Sequence, residues 1–591
     1  MALTNFKFKI ISKVLADRLS QILPNLISKE QRGFIKGRNI KDCIALTSEA
    51  INVLDKKSFG GNLAMKIDVS KAFDTLSWEF LIYVLEKFGF SQTFRNWIIS
   101  ILHSANISIS INGAQQGYFK CNRGVRQGDP LSPLLLCIAE EVLSRGIRKL
   151  VDEGKVDLIK ASRSAFIPSH CFYADDLMVF CKGKQSSLEA LKNLFTRYAG
   201  SSGQALNLGK SSIFAGGVSD ARLNNMKSLL GFSIGTLPFT YLGAPIFKGR
   251  PKKIHFQHIA DKVRIKLANW KAALLSIAGR VQLVKSVVQS MLIHTMNVYS
   301  WPVNILREIE RWIKNFIWSG DIYKKKMVTV AWKKVCSDLD EGGLGLRSLV
   351  CLNEASNLKS CWDLVHSEEQ WAFVIRSRVI RDSYSIQHHV FSSIWSGIKN
   401  EYQTIIDNSI WLVGDGENIN CWIDNWCGEV LAHSLNLSSS QLQSLPNKLC
   451  NFVRSNQWNF PAGMFDTNPN LYSLVNQVTI PKARRRDKLV WKHSNNGEIT
   501  LKEAYCFKKS RAPKLPWAMI IWSTDFPPSK SLLVWRFMHG KLPTDENLAA
   551  RGCQLPSMCS LCCNALETSN HLFLECSYAL HLWSWFASTV N

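Results

Sequence analysis

Two short apolar runs separated by three residues form the most informative pattern along the chain. Residues 170–173 and 177–180 are rich in aromatic and β-favouring side chains, and Ala174, Asp175 and Asp176 lie between them. This pattern predicts two strands joined by a tight turn. Because adjacent carboxylates repel each other, such a turn is costly without a cation. A site for Mg²⁺, which prefers oxygen ligands, is one interpretation, and a solvated turn is the other.

A third carboxylate follows an apolar stretch further upstream. Residues 63–69 predict a buried strand that ends at Asp68, and the apolar positions of residues 78–88 recur at helical spacing before Gly89, a typical helix stop. An aspartate at a strand end beside the Asp-Asp turn would complete a carboxylate cluster. Two metal ions in such a cluster can activate a hydroxyl and stabilise the leaving group of an in-line displacement. The alternative role, helix initiation, suits Asp74 better than Asp68.

A segment rich in glycine and proline, residues 123–133, predicts a shaped loop before an amphipathic helix. Its glycines permit close approach of a ligand to the backbone. Arg126 and Gln127 within it are suited to contact a phosphate and a base or sugar. A plain turn explains the glycines and prolines but not the whole segment.

These segments, in this order, resemble the reverse transcriptases of plant LINE-type (non-LTR) retrotransposons. Residues 66–74 resemble the first catalytic motif, residues 123–133 the motif that contacts template and nucleotide, and residues 173–176 the catalytic hairpin. Residues 31–38 and 203–211 resemble the upstream fingers motif and the block after the hairpin. The resemblance implies an α+β right-hand polymerase with fingers, palm and thumb. A mostly helical, Trp-rich connector and a small zinc-binding module are expected to follow it.

The resemblance also implies roles for individual residues. Asp68 and Asp175 resemble the direct ligands of two Mg²⁺ ions, with Mn²⁺ as an alternative, and Asp176 resembles the supporting catalytic carboxylate. Phe73 lies where the family places the ring that excludes a ribose 2′-hydroxyl. The other positions expected to contact nucleotide, template or phosphate are Arg38, Arg126, Gln127, Gly128 and Lys210.

A second candidate site lies near the end of the chain. Cys559 and Cys562 form a Cys-x-x-Cys pair, and His571 and Cys576 follow at spacings typical of zinc ligands. A tetrahedral site with three cysteines and one histidine is closed and structural. The surrounding residues resemble the zinc-binding domain that follows plant LINE reverse transcriptases. Two further cysteines nearby leave the choice of ligands open, and scattered buried cysteines are the alternative interpretation.

The resemblance divides the chain into four expected segments. Residues 1–217 are expected to form fingers and palm, with the N-terminal fingers incomplete, and residues 218–345 a thumb-like helical region. Residues 346–498 are a connector of unknown role, and residues 499–586 the zinc-binding domain. We expect neither an endonuclease domain before these segments nor a ribonuclease H domain after them.

Composition adds information about partners and compartment. The formal net charge is +26, with 72 basic and 46 acidic residues, which is typical of proteins that bind a polyanion. A hydrophobic content of 46% excludes a disordered basic tail. Since the sequence shows neither a membrane-spanning run nor a signal peptide, its 17 cysteines indicate a reducing compartment. We therefore expect an intracellular protein of the nucleus or cytoplasm, neither secreted nor in a membrane.

Two functions remain open from the sequence. One is an RNA-directed DNA polymerase, a nucleotidyltransferase that binds an RNA template, a DNA primer or duplex, and dNTPs. The other is a non-catalytic nucleic-acid-binding remnant of a retroelement polyprotein. Primer extension with and without Mg²⁺ distinguishes them.

Overall fold

The structure of the chain is a computed structural model. It describes residues 6–270, 275–325, 330–381, 384–386, 388–455, 457–461, 463–466, 468–481, 483, 485–510 and 512–590.

The first part of the chain alternates helices with a mixed sheet. Its helices are α1 (Phe6–Leu26), α2 (Ile40–Val53), α3 (Ala72–Thr75), α4 (Trp78–Lys87), α5 (Gln92–His103), α6 (Ser132–Asp152), α7 (Gln185–Ser202) and α8 (Asp220–Leu230). Its strands are β1 (Asn62–Asp68), β2 (Asn106–Ile111), β3 (Ala114–Lys120), β4 (His170–Tyr173), β5 (Asp176–Lys182), β6 (Ser212–Gly216), β7 (Ser233–Ile234), β8 (Phe239–Tyr241) and β9 (Ala244–Ile246). The predicted hairpin, the predicted strand before Asp68 and the predicted helix from Trp78 are confirmed.

A five-stranded sheet in the order β4-β5-β1-β6-β7 positions the candidate site. Strand β1 pairs antiparallel with β5 and β6, whereas β6 and β7 are parallel. Because side chains alternate between the two faces of a strand, Leu63, Met65 and Ile67 point together into a core shared with α6 and α7. The intervening Lys66 and Asp68 are partly exposed on the other face.

The middle of the chain is helical and then mixed. Its first helices are α9 (Lys253–Asn269), α10 (Ile277–Leu283), a π-helical turn (Val284–Val288), α11 (Gln289–Met296), α12 (Val303–Ser319), α13 (Trp332–Val335) and α14 (Leu349–His366). The next helices are α15 (Gln370–Val379), α16 (Trp395–Ile398), α17 (Glu401–Asp407), α18 (Leu431–Ser434), α19 (Ser439–Ser444), a 3₁₀ turn (Leu449–Phe452) and α20 (Pro469–Gln477). Three two-stranded sheets pair β10 (Ile380–Arg381) with β11 (Tyr384–Ser385), β12 (Ser409–Leu412) with β15 (Lys488–Trp491), and β13 (Val453–Arg454) with β14 (Gln457–Trp458).

The last part of the chain is helical. It contains α21 (Leu501–Lys508), α22 (Pro516–Ile521), α23 (Pro528–Met538), α24 (Asp545–Ala549), a π-helical turn (His571–Glu575) and α25 (Ser577–Val590). Across the described residues, no helix combines the length and the apolar character needed to cross a bilayer.

The chain forms two compact units whose limits differ from the predicted segments. The first unit comprises Met1–Pro251, Asn297–Ser300 and Asn357–Ile499. The second unit comprises Lys252–Met296, Trp301–Ser356 and Thr500–Asn591. Most of the expected connector therefore belongs to the first unit, and the expected thumb-like region is divided between the two.

Buried polar contacts explain why the connector belongs to the first unit. Helix α15 packs on α2, where the indole of Trp371 donates to Asp42 at 2.8 Å. Two turns further along each helix, Arg378 pairs with the fully buried Glu49 at 2.7 Å. The tryptophans at 422 and 426 are also buried, in a separate apolar cluster of this segment.

The second unit is built on helix pairs. Helices α9 and α12 pack against each other, and Phe256 of α9 stacks on Trp301 with ring centroids 4.5 Å apart. In α23, the indole of Trp535 donates to the carbonyl of Gly342 at 2.7 Å. The glycine-rich turn before α14 is thus held by a helix of the last part of the chain.

Candidate active site and metal centre

The three predicted catalytic aspartates lie at one edge of the sheet. Asp68 is the last residue of β1 and Asp176 the first of β5, and the two are directly opposite each other in the antiparallel pairing. Asp175 precedes Asp176 in the turn between β4 and β5. All three side chains are partly buried. The structure brings them together, and their role as metal ligands stays a prediction.

Burial and mutual repulsion both disfavour the ionised carboxylates. Burial is the main reason that the pKa of Asp175 is raised, and the charge of Asp68 raises it further. The pKa of Asp176 is raised by burial and then by the charge of Asp175, against an opposing effect of Lys66. A cation would relieve this repulsion, and the oxygen donors suit Mg²⁺ or Mn²⁺.

The turn that carries Asp175 is held by residues from a distant part of the chain. Ala174 has a φ of 51°, in the left-handed region that is unfavourable for residues other than glycine. The side-chain oxygen of Gln31 accepts from the N–H of Ala174 at 3.1 Å and from the N–H of Gly33 at 2.9 Å. A Cβ on Gly33 would lie 2.3 Å from the nitrogen of Ala174, so only glycine fits there.

A buried carboxyl group, which the sequence analysis missed, completes this support. Glu140 of α6 accepts from the Nε2 of Gln31 at 3.1 Å, and both side chains are buried. Burial raises the pKa of Glu140 well above its usual value, and the charge of Asp175 adds to the effect. Among the residues that the structure describes, its Oε1 has no hydrogen-bond partner. Such surroundings favour the neutral acid. In the sequence, Glu140 could be noticed only as an acidic residue within an otherwise apolar stretch of the predicted helix.

The glycine-rich loop lies beside the residue predicted to select the sugar. The N–H of Val125 donates to the carbonyl of Phe73 at 2.6 Å, and the Nε2 of Gln127 donates to Asp74 at 3.1 Å. Gly128 has a φ of 84°, and both it and Gln127 are exposed. The half-buried ring of Phe73 packs against a core cluster. Their contacts with nucleotide and template stay predictions.

The segment with Lys210 runs along the end of β1. The N–H of Ser70 donates to the carbonyl of Ala205 at 2.9 Å, and the N–H of Asn207 donates to the carbonyl of Asp68 at 2.8 Å. Lys210 lies in the following turn, where its side chain is exposed. This position is compatible with the predicted phosphate contact, which stays a prediction.

The two arginines predicted to contact substrate are engaged within the protein. Arg126 donates to the carbonyl of Ile101 at 3.2 Å and the hydroxyl of Ser104 at 3.0 Å. Both terminal nitrogens of Arg38 donate to backbone carbonyls, those of Pro24, Ile27, Ser28 and Gln31. Arg38 therefore ties the end of α1 to the segment that supports the turn, and its phosphate contact stays a prediction.

The predicted zinc ligands form a compact cluster in the second unit. The ligand atoms of Cys559, Cys562, His571 and Cys576 all lie within 4.8 Å of one another. The Sγ atoms of Cys559 and Cys576 are 4.0 Å apart, and the Sγ of Cys562 is 3.2 Å from the Nε2 of His571. A tetrahedron with Zn–S bonds of about 2.3 Å has edges of about 3.8 Å, so the donor set fits Zn²⁺. A backbone N–H at Cys562 lowers the pKa of Cys559 to about 7, which favours the thiolate that binds metal.

Family models match both regions that carry these sites. Residues 1–246 match the model described as reverse transcriptase (RNA-dependent DNA polymerase), and residues 500–583 match zinc-binding in reverse transcriptase. Residues 1–246 therefore carry a reverse transcriptase domain, and residues 500–583 a zinc-binding domain of the kind found in reverse transcriptases.

The chain is also similar to curated proteins of transposons and retrotransposable elements. A putative ribonuclease H protein of Arabidopsis thaliana is 27% identical over 355 residues, 57% of the chain and 57% of that protein. The transposon TX1 149 kDa protein of Xenopus laevis is 26% identical, over 60% of the chain and 26% of that protein. The Pol polyprotein of retrotransposable element R2DM of Drosophila melanogaster is 25% identical, over 59% of the chain and 34% of that protein. The chain thus spans about a quarter to just over half the length of these relatives.

A solved structure of Candida albicans telomerase with a fragment of telomeric RNA is also similar to the reverse transcriptase. It is 12% identical, with a TM-score of 0.32, over 64% of the chain and 57% of the telomerase. At this TM-score the similarity carries no argument about function.

Proposed function

We propose that the chain is an RNA-directed DNA polymerase that extends a DNA primer on an RNA template with dNTPs. The observation that supports this proposal most directly is that Asp68 and Asp176 lie opposite each other on paired strands, next to Asp175 in the turn. In this proposal the sheet with these aspartates is the palm of a right-hand polymerase, and the helices of the second unit include a thumb.

The chain's own residues supply charge and positioning at this site. Asp68 and Asp175 are the residues that would hold two Mg²⁺ ions, and Asp176 is the supporting carboxylate. Bound there, the ions would activate the primer hydroxyl and neutralise charge on the leaving pyrophosphate. Gln31 and Glu140 keep the turn in the conformation that presents Asp175. In this proposal Gln127 contacts the incoming nucleotide and Lys210 contacts phosphate.

Selection of the sugar is assigned to Phe73. Its ring packs on the core at the start of α3, and its carbonyl is tied to the glycine-rich loop. Replacement by alanine should open space for a 2′-hydroxyl and raise the ratio of ribonucleotide to deoxyribonucleotide incorporation. An unchanged ratio in an active variant would remove Phe73 from this role.

Primer extension by the purified chain tests the polymerase function. The wild type should extend a DNA primer on RNA only with Mg²⁺ or Mn²⁺. Asp175→Asn should lower the rate by at least about 100-fold, because it removes a metal ligand. Binding of the primer–template should change little, since the variant leaves the basic surface intact. The exposed Asp152→Asn on α6 is the matched control and should extend at the wild-type rate.

The outcome separates the two functions that the sequence leaves open. An inactive wild type that binds primer–template tightly would indicate the non-catalytic nucleic-acid-binding remnant. Wild-type rates in Asp175→Asn would contradict the assignment of this aspartate as a ligand.

A further inference from the structure

A cavity of ≈ 880 Å³ lies in the first unit, and its described lining includes none of the residues assigned to polymerisation. It is bordered by the end of α2, the loop at residues 161–164, and residues 377–381 with Phe391. Five cationic side chains and one carboxylate line it, namely Lys56, Arg163, Lys248, Arg378, Arg381 and Asp55. Three hydroxyl groups, those of Ser162, Ser164 and Ser377, add hydrogen-bonding capacity. The lining is therefore suited to an anionic ligand.

Part of this positive charge is neutralised by the protein, and part is not. Lys248 contacts both carboxylate oxygens of Asp55 at 2.8 Å, and Arg378 pairs with the buried Glu49. Within the described part of the chain, Lys56, Arg163 and Arg381 have no carboxylate partner. The ammonium of Lys56 donates to the carbonyl of Ala161.

The pKa of one lysine reports this excess charge. Burial lowers the pKa of Lys56, and the charge of Arg378 lowers it further. An anion in the cavity would reverse the second effect. The cations therefore repel one another in the free protein and gain from a bound anion.

An exposed aromatic ring stands at the border of the cavity. Phe391 is 66% exposed. Its carbonyl accepts from Arg378, and its ring packs edge-on against His389 with centroids 5.0 Å apart. The ring is thus held in place while most of its surface is open. An inorganic anion gains no favourable contact from an aromatic ring, whereas a nucleobase can stack on it.

We propose that this cavity binds a nucleotide of a single-stranded nucleic acid. Arg163 and Arg381 contact its phosphates, and Phe391 stacks on its base. Cations that follow a backbone beside an aromatic platform are the usual means of binding unpaired strands, whereas the bases of a duplex are already stacked inside it. The inference rests on the proposed function only for the identity of the strand, which would be the template before it pairs with the primer.

Salt-dependent binding of labelled oligonucleotides tests the proposal. Anisotropy is measured for the full chain with an unpaired RNA and a DNA of the same sequence, about 20 nucleotides long. For single strands, log affinity falls with log salt at a slope of about −0.7 per phosphate contact, so each lost contact makes the slope about 0.7 less steep. The double variant Arg163→Ala/Arg381→Ala should therefore show a slope about 1.4 shallower. Phe391→Ala should weaken binding by about fivefold or more at an unchanged slope.

A charge-matched variant controls for general electrostatics. Lys192→Ala/Lys227→Ala removes two exposed charges from α7 and α8 and should keep the wild-type slope. Because Arg163 and Arg381 are exposed, their double variant should also melt at the wild-type temperature. An equal loss of slope in both double variants would overturn the proposal. The binding measurement needs no polymerase activity, so an inactive enzyme leaves the test intact.

Three further outcomes identify the ligand. If the cavity variants lose more affinity for RNA than for DNA, the cavity holds RNA, and the reverse result indicates DNA. Either result supports the proposal. Saturation of the site by millimolar inorganic phosphate, with Phe391→Ala binding RNA and DNA normally, would show a small-anion site and overturn it. The wild type is also tested with phosphatidylserine vesicles. If Arg163→Ala/Arg381→Ala loses binding to these vesicles but still binds the oligonucleotides like the wild type, the cavity is a membrane-directed surface and the proposal is equally overturned.

Discussion

At the residue scale, Glu140 supports the turn that carries Asp175 through a hydrogen-bonded chain. Its Oε2 holds the amide of Gln31, whose oxygen in turn holds the N–H of Ala174. The left-handed backbone at Ala174 persists because this fixed acceptor compensates for its cost. Glu140 is thus a positioning residue for Asp175.

Two substitutions at this position separate hydrogen bonding from charge. Glu140→Leu has a similar volume but removes the acceptor at 3.1 Å, so that the Nε2 of Gln31 keeps the longer contact of 3.4 Å with the carbonyl of Ala174. Loss of a buried hydrogen-bond partner costs about 1–3 kcal/mol. We expect kcat for primer extension to fall by about tenfold, with a smaller change in the KM for dNTP. Glu140→Gln retains the acceptor and should remain close to the wild type in kcat. An equal loss in both variants would instead show that Glu140 acts as an ion.

His170 gives the first unit a predictable dependence on pH. Its Nε2 and Nδ1 are hydrogen-bonded to the hydroxyls of Ser144 at 2.8 Å and Ser169 at 2.9 Å. Burial lowers its pKa to about 4, in spite of the nearby charge of Glu30. An unfolded histidine has a pKa of about 6.5, so below that pH the unfolded chain binds a proton that the folded chain does not. Stability from this group is complete above about pH 6.5 and is lost as the pH falls towards 4.

The expected loss by pH 4 is about 3 kcal/mol. His170→Gln should be less stable than the wild type at pH 7 but should lose less stability between about pH 6.5 and 4.5. Urea unfolding of the first unit at a series of pH values measures this slope. The exposed His581→Gln is the control and should follow the wild type. Parallel slopes for wild type and His170→Gln would contradict the prediction.

At the element scale, the sequence predicts strands and turns that neighbouring residues determine. It does not predict the contacts between segments that lie far apart along the chain. The hairpin of β4 and β5 and the strand ending at Asp68 follow from local alternation and a turn. The strand-like pairing of Gln31 with Phe172 joins segments far apart in sequence, and no periodicity signals it. The contacts of Arg38 with carbonyls at the end of α1 are likewise not visible from its place in a motif. Glu140 was missed because its partners belong to other elements.

The zinc cluster is an element whose structure depends on a ligand. A small module with few buried apolar residues gains much of its folding free energy from a closed metal site. Cys559→Ser or Cys576→Ser should reduce bound zinc from about one ion per chain to near zero, as elemental analysis would show. Both should also make residues 500–583 sensitive to protease, while the first unit keeps its melting behaviour.

The neighbouring Cys563 provides the matched control for the zinc prediction. It is exposed and lies outside the ligand cluster, so Cys563→Ser should retain one zinc ion. Because cysteine thiols must lose their protons to bind zinc, zinc affinity should fall at acid pH in the wild type as well. Full zinc content in the Cys559→Ser variant would contradict the assignment of ligands.

At the scale of the whole molecule, the first unit is assembled from segments more than 300 residues apart in sequence. Helix α15 covers α2, and the guanidinium of Arg378 neutralises Glu49, which is entirely buried. Burial raises the pKa of Glu49, whereas the charge of Arg378 lowers it again. Removing one member of a buried pair leaves an uncompensated charge, which typically costs about 3–5 kcal/mol. The segment expected to be a separate connector is therefore predicted to stabilise the catalytic sheet.

Unfolding of full-length variants tests this coupling. Arg378→Ala should lower the free energy of unfolding of the first unit by about 3–5 kcal/mol. Glu49→Gln/Arg378→Met, which removes both charges at similar volume, should recover most of that loss. The exposed pair of Arg486 with Glu368 lies in the same segment, and Arg486→Ala should cost less than about 1 kcal/mol. If Arg378→Ala unfolds like Arg486→Ala, or if only residues 357–499 lose protection against hydrogen exchange, the connector does not stabilise the sheet. Loss of protection in β1 and β5 together with α15 would show one cooperative unit, in which the aspartates depend on a helix that no catalytic motif contains.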